Sequence, residues 1–400
     1  MGASDLRPDG SYELDGGSCD PIFNPVREEF RDILTADPSH GAALAVTIGG
    51  KLLVNLWGGT ARPGEPWRES TRCVVWSTTK GMSALCVQLL ADRGEIDLSS
   101  AVSRYWPEFA AAGKDFVTVS HVLSHRAGLP YWEASERVAC LDEPATFKDT
   151  RRIAVSLAQA HPVIRPGEEL AYHAITYGWL LDEIVLRVTG KHLGECFDEL
   201  LARPLGLNIR IGPSSIAVGR PAKLGVIELD PGQLAEVLER NRSTKRSKAM
   251  LFRRAESAVE VDHFANDHTF IECGQPAVGG LSDAKSLARA YGLLASGGTL
   301  DGINYLSRHS IGQFSSTARK GYDLVLDRQV DRALGYLRNL DGQEFGPPPN
   351  AFGHNGLGGS TAFADPDARV GFGFVMNGLD LSPNSAARGL RLSRALYACL

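Results

Sequence analysis

Ser77-Thr78-Thr79-Lys80 stands immediately before the most regular helical pattern in the chain, where Met82, Leu85, Cys86, Leu89 and Leu90 recur at i, i+3, i+4, i+7 and i+8. Positions three apart on a first helical turn share a face, so an amine at Lys80 can take the proton of a hydroxyl at Ser77. The positive end of the helix favours the resulting alkoxide and helps to keep a nearby lysine neutral. The spacing alone is a weak signal, because a chain of this composition yields about one such pair by chance. Ser282-Asp283-Ala284-Lys285 is such a pair, and there Ser282 reads more simply as the N-cap of the helix that follows. The other residues of a site must therefore decide for Ser77.

Two segments supply them. Tyr172 lies in Pro166-Gly167-Glu168-Glu169-Leu170-Ala171-Tyr172-His173-Ala174, ahead of a helical run from Trp179 to Val188; a phenol beside a lysine can relay protons between nucleophile and leaving group. Gly353-His354-Asn355-Gly356-Leu357-Gly358-Gly359-Ser360 is glycine-rich, which lets a strand edge come close to a substrate. A free backbone N–H there would stabilise an oxyanion.

The elements that must position these residues follow from periodicity. Val26, Phe30 and Ile33 predict an N-terminal helix, and the apolar runs Ala43 to Ile48 and Leu52 to Trp57, joined across Gly49-Gly50-Lys51, predict a strand pair. From about 95 to 275 the pattern is mostly helical, with Leu181, Ile184, Val185 and Val188 before Gly190 as its clearest element. A helix then runs from Ser282 through Leu287, Ala290, Tyr291 and Leu294 to Gly297-Gly298. Ala351 to Ala364 and Val370 to Asn377 flank an Asp365-Pro366-Asp367 turn and read as a hairpin, and Asn384-Ser385 can cap a last helix that buries Leu392, Ala395, Leu396 and Cys399. Strands at both ends with helices between predict an α/β (α+β) chain: residues 1–75 and 275–400 form a sheet domain, and 76–274 an inserted, mainly helical domain. The cleft between them is the place to look for a site.

Ser77-x-x-Lys80, Tyr172 and His354-Asn355-Gly356, in this order, resemble the serine β-lactamase and penicillin-binding-protein superfamily, and the family VIII carboxylesterases most closely. Val119-Ser120-His121-Val122-Leu123-Ser124-His125-Arg126-Ala127-Gly128-Leu129-Pro130 is similar to the family's stretch after the nucleophile helix. The resemblance implies a β-lactamase-like fold with an antiparallel sheet flanked by helices. It implies Ser77 as the acylated nucleophile, Lys80 as its base, Tyr172 as proton relay, and the N–H groups of Ser77 and Leu357 as oxyanion hole, with His354, Asn355 and Gly356 lining the substrate site. Two departures bear on substrate. Lactamases and peptidases carry an asparagine where this chain has Ala174, and a lysine where it has His354. Without that amide and that permanent cation, uncharged short-chain esters are expected over lactams and peptides. An acyltransferase, a weak β-lactamase and a non-catalytic acyl-ligand sensor are the alternatives.

Competing signals are poorer. No G-x-S-x-G elbow is present. His121 and His125 are four apart but lack the glutamate of a metalloprotease signature, so both read as structural and no metal is expected. Arg240, Arg242, Lys245, Arg246, Lys248, Arg253 and Arg254 lack interleaved aromatics and read as a solvated, mobile surface loop. Gly356-Leu357-Gly358-Gly359 continues into no nucleotide fingerprint, and no cofactor is expected. With 42 basic against 47 acidic residues among 400, no global field favours a nucleic acid partner. The apolar run at Gly41 to Gly50 ends at Lys51, far short of a membrane span, and Met1 to Asp5 shows no secretory pattern, so a cytoplasmic protein is expected. Seven scattered cysteines without a C-x-x-C pair predict reduced core thiols. Oligomeric state is not legible.

Overall fold

In the computed structural model, which describes residues 15–400 except 134, 243 and 383, both ends of the chain meet in one sheet. Its strands are β1 (Gly16–Cys19), β2 (Gly41–Ile48), β3 (Lys51–Arg62), β4 (Glu65–Pro66), β5 (Arg319–Asp323), β6 (Arg328–Arg332), β7 (Leu337–Arg338), β8 (Phe352–Asn355), β9 (Thr361–Asp365) and β10 (Val370–Met376). The order is β1-β3-β2-β10-β9-β8-β7-β6-β5, with β4 beside β3, and every pairing is antiparallel. Gly49 and Gly50, at φ 57° and 83°, form the two-residue turn between β2 and β3, a conformation that other residues adopt at a cost. The reading of Met1 to Asp5 lies outside the described residues.

The segment from Ala351 to Ala364, read from sequence as one arm of a hairpin, is two strands. β8 and β9 are joined by the glycine-rich loop Gly356–Ser360, and β9 then pairs with β10 across the Asp365-Pro366-Asp367 turn. The glycines that hid this break from the apolar pattern are what permit the loop.

The helices that matter here are α1 (Asn24–Ala36), α2 (Thr79–Asp92), α3 (Thr176–Thr189), α4 (Pro231–Arg242), α5 (Thr244–Ala249), α6 (Ala284–Ala295) and α7 (Ala387–Tyr397). α6 lies directly on β10 and β2. A Cβ at Gly371 would stand 2.3 Å from Ala288 O, and one at Gly373 2.4 Å from Ala284 O, so helix and strand touch backbone to backbone. Alternation sends Phe372 and Phe374 to the opposite face, where Phe372 stacks on Phe363 at 4.8 Å. α1 packs against α7, pinned by Arg391 to Glu29 at 2.6 Å. Every residue of α2 from Thr79 to Leu90 is buried, so this helix is central and not amphipathic.

Two predicted caps are corrected. α6 is capped by Asp283, whose carboxylate accepts the Ser286 N–H at 2.7 Å; Ser282 lies one residue earlier, in a short strand pairing with Cys73. A carboxylate placed one residue later is the better-aligned acceptor. α7 has Ala386 at its cap, and Asn384 contributes only its carbonyl, to Ala387 N at 2.7 Å. Of the basic 240–254 segment, expected to be a loop, Arg240 and Arg242 lie in α4 and Lys245, Arg246 and Lys248 in α5, while Arg253 and Arg254 lie outside a helix. Arg240 turns inward to donate to Leu381 O at 2.9 Å, and Arg246 is half-buried with its Nε sealed from solvent. None of the seven cysteines is bridged; Cys73, Cys86, Cys140 and Cys196 are buried. Among the described residues no helix is long and apolar enough to cross a membrane.

Candidate active site

The chain turns sharply at Trp76, a fully buried residue held at φ 48°. Such backbone is disfavoured for a non-glycine residue and is kept only where packing over-determines it. Beyond it Ser77 sits in a single 3₁₀ turn, Trp76–Thr78, that runs directly into α2. Ser77 is half-buried, while Thr78, Thr79 and Lys80 are buried, so the hydroxyl is the group this turn presents.

Lys80 is 0% exposed, and its Nζ meets Ser77 Oγ at 3.1 Å, Ala174 O at 2.7 Å and Ala277 O at 3.0 Å. A neutral amine has two N–H bonds and one lone pair. With the two carbonyls taking the N–H bonds, the lone pair faces Ser77. Burial is the main cause that holds the Lys80 amine well below the ordinary lysine range, and the charge of Arg332 adds to it. Ala174, the residue standing where lactamases have asparagine, thus serves through its carbonyl.

Tyr172 donates from its hydroxyl to Ser77 Oγ at 2.7 Å. Burial pushes this phenol up to about 12, opposed by the Ser77 bond and by Arg332, so it carries its proton at neutral pH. Its backbone N–H is held by Asp323 Oδ1 at 3.0 Å, and its ring packs on His125 at 4.9 Å between centroids. The site therefore holds a serine hydroxyl between a neutral amine and a protonated phenol.

The loop after β8 is fastened to the turn that carries Ser77. Ser360 Oγ donates to Val75 O at 2.8 Å and lies 3.2 Å from Thr78 Oγ1. At Gly356 a Cβ would fall 2.1 Å from Ser360 Oγ and 2.3 Å from Val75 O, so only glycine allows this approach. Leu357, half-buried, follows it. Among the described residues no acceptor engages the Leu357 N–H, and Ser77 N–H, in a first turn, has no partner four residues back.

His354 is buried beside this group, 6.2 Å from the Tyr172 ring, with Nδ1 bonded to Asn355 O at 2.8 Å. That bond assigns the ring proton to Nδ1. Burial first, then the nearby charge of Arg332, holds the imidazole well below its ordinary range, so it is uncharged at neutral pH. Asn355 gives its amide to Glu344 at 3.1 Å. The structure thus brings Ser77, Lys80, Tyr172, His354, Gly356 and Leu357 into one neighbourhood, with the Asn355 amide engaged by Glu344. A cavity of about 650 Å³ lined by Lys320, Asp331, Arg338 and Arg394 contains none of these residues.

His121 and His125, four apart, do not share a helix face, since the short helix Val119–Leu123 ends before His125, which takes φ 59°. His121 caps that helix, and His125 Nδ1 accepts the His173 N–H at 3.1 Å. Trp76, Asp323, Arg332 and Ala277 escaped the sequence reading. Asp323 comes 151 positions after the tyrosine it holds, and no local pattern marks it.

A family model described as Beta-lactamase matches residues 26–396. The chain is 34% identical over 375 residues to "Esterase/beta-lactamase LipL" of Mycobacterium tuberculosis, covering 92% of this chain and 83% of that protein. Among solved structures, one described as a family VIII carboxylesterase superposes with a TM-score of 0.85 at 35% identity, covering 96% of this chain and 100% of the other. A penicillin-binding-protein homologue from Caulobacter crescentus superposes with a TM-score of 0.82 at 34% identity, covering 96% and 100%.

Proposed function

Because this chain belongs to the beta-lactamase family, we propose that it is a serine carboxylesterase that hydrolyses short-chain esters through an acyl-enzyme on Ser77. The observation that carries the reading is the placing of Ser77 Oγ between the Tyr172 hydroxyl at 2.7 Å and the buried Lys80 amine at 3.1 Å. Ser77 Oγ attacks the ester carbonyl while its proton passes to Lys80 Nζ. The tetrahedral oxyanion lies against the N–H groups of Ser77 and Leu357. As the C–O bond to the alcohol breaks, Tyr172 gives its proton to the leaving oxygen, and the Lys80 ammonium returns a proton to the phenolate. Water then attacks the acyl carbon by the same proton route and frees the acid.

In this reading the described residues from 15 to 75 and from 275 to 400 form the sheet domain, and those from 76 to 274 the helical one. Ser77, Lys80 and Tyr172 come from the second and His354 to Leu357 from the first. The relatives described as esterases support an ester substrate, as does an uncharged His354 where a lactamase would present a lysine.

A fluorophosphonate label and p-nitrophenyl butyrate turnover test the assignment together. Ser77→Ala should lose both, by several orders of magnitude in rate, whereas Ser282→Ala should keep both. An Ser77→Ala protein retaining more than about a tenth of the activity would remove Ser77 from the nucleophile's role.

A further inference from the structure

Behind Tyr172 lies a buried ion pair that the chemistry above does not use. Asp323, the last residue of β5, and Arg332, the last of β6, have side chains 0% and 1% exposed and are bonded Nη2 to Oδ2 at 3.2 Å. Asp323 Oδ1 accepts the N–H groups of Tyr172, Val325 and Leu326, each at 3.0 Å. The Arg332 guanidinium lies over the Tyr172 ring, 5.1 Å from Cζ to the centroid, and its Nε has no partner among the described residues. Lys80 Nζ approaches the same ring at 4.8 Å. A buried ion pair of this kind is often no more stabilising than apolar residues of equal volume, so stability does not account for its place.

We infer that Arg332 is a positioning residue whose fixed charge keeps Lys80 as the free amine and draws the proton of Tyr172 toward transfer, with Asp323 setting how much of that charge reaches them. The inference rests on the Ser77–Lys80–Tyr172 reading. Its sign follows from Coulomb's law in a site with little water: a guanidinium disfavours a second cation at Lys80 and favours an anion at Tyr172. After burial, Arg332 is the cause that lowers Lys80, and the same group opposes burial at Tyr172 while Asp323 reinforces it. The other titratable groups facing the pair are His125, His173 and His354, all held below the ordinary histidine range by burial and uncharged, and Tyr177, raised by burial and protonated. Arg246 of α5 adds a second positive charge that reaches Tyr172. Asp323 is the carboxylate whose charge reaches it.

The test is the acid limb of kcat/KM for p-nitrophenyl butyrate in Arg332→Gln, Arg332→Lys and Asp323→Asn, each compared with its own plateau. Arg332→Gln should make Lys80 harder to deprotonate, so its relative activity at the foot of the limb falls about tenfold below the wild type's. Arg332→Lys, which keeps the charge, should restore the limb. Asp323→Asn keeps the Oδ1 acceptor but unmasks the guanidinium, so its limb should move to lower pH. Opposite displacement separates a charge effect from mere loss of packing, which would lower the plateau and leave the limb in place. If Arg332→Gln does not fold, Asp323→Asn decides: a limb at or above the wild-type position overturns the inference. An unmoved limb in a series where Ser77→Ala is inactive refutes only the role of Arg332, whereas an active Ser77→Ala refutes the catalytic reading beneath it.

Discussion

Gly356→Ala is the smallest change that should disable the proposed oxyanion loop without touching a reacting group. The added methyl would stand 2.1 Å from Ser360 Oγ and 2.3 Å from Val75 O, with Thr78 Oγ1 at 3.0 Å. The serine hydroxyl can rotate away, but Val75 O is backbone, two residues before Ser77 and bonded to Ser360. Relief therefore requires the loop to withdraw by about 1 Å, a displacement that in a close-packed interior cannot be absorbed locally. Leu357 is the next residue and moves with it. Misplacing a catalytic group by that distance costs about 10²-fold, and loss of one oxyanion donor about 10² to 10³-fold, so kcat for p-nitrophenyl butyrate should fall by about two orders of magnitude. KM should change little, because the lost contact forms in the transition state. The double variant Gly356→Ala with Ser360→Ala removes the nearer clash and leaves the carbonyl, and should stay impaired. If Gly356→Ala retains kcat within about threefold of wild type while melting normally, the loop does not supply the oxyanion donor, because loss of that donor costs about 10²-fold or more.

Two further outcomes follow from the same geometry. A chromogenic cephalosporin should be turned over with a kcat/KM far below that of p-nitrophenyl butyrate, since an uncharged His354 forgoes a charge-assisted contact of about 1.5–3 kcal/mol and Ala174 a further hydrogen bond of about 1 kcal/mol, together about two orders of magnitude in lactam selectivity relative to a site with that lysine and asparagine; comparable values would replace the esterase reading by a lactamase. Lys114, 0% exposed, donates to Ala111 O, Ala158 O and Ala160 O at 2.7, 3.0 and 2.5 Å. Lys114→Met leaves three carbonyls without a donor and should cost about 3 kcal/mol in urea unfolding while fluorophosphonate labelling of Ser77 persists; an unchanged midpoint would show that water replaces the amine.

How far the sequence could be read depended on the range of the interaction. Ser77 and Lys80 lie one turn apart, so their shared face follows from helical spacing alone. The β2–β3 hairpin was equally legible, because Gly49-Gly50 and the flanking apolar runs are contiguous. Tyr172 and the His354–Leu357 loop could be joined to Ser77 only through resemblance, since nothing in periodicity brings them together. What stayed hidden was set by tertiary contact. The inward turn of Arg246 depends on what α5 packs against, and its lowering to about 10 by burial has no trace in a run of basic residues. The Asp323–Arg332 pair joins two strand ends to a loop 151 positions earlier. The cap errors at Ser282 and Asn384 came from choosing between adjacent polar residues, which local preference does not resolve.

The pairing of β10 with β2 also dictates when this molecule can become itself. Thr47 and Gly371, partners across that pairing, are 324 positions apart, and the loop that faces Ser77 is bounded by β8 and β9, also near the end of the chain. During synthesis the β2–β3 hairpin emerges early and must wait, with β2 an open edge able to recruit a foreign strand, until β10 arrives to cover it. Contacts this distant along the chain make folding slow. A nascent fragment carrying Ser77, Lys80 and Tyr172 would therefore lack the loop fastened to their turn, so the proposed site is complete only once the strands up to Met376 have emerged, and the interval before that is when the chain most needs shielding from its neighbours.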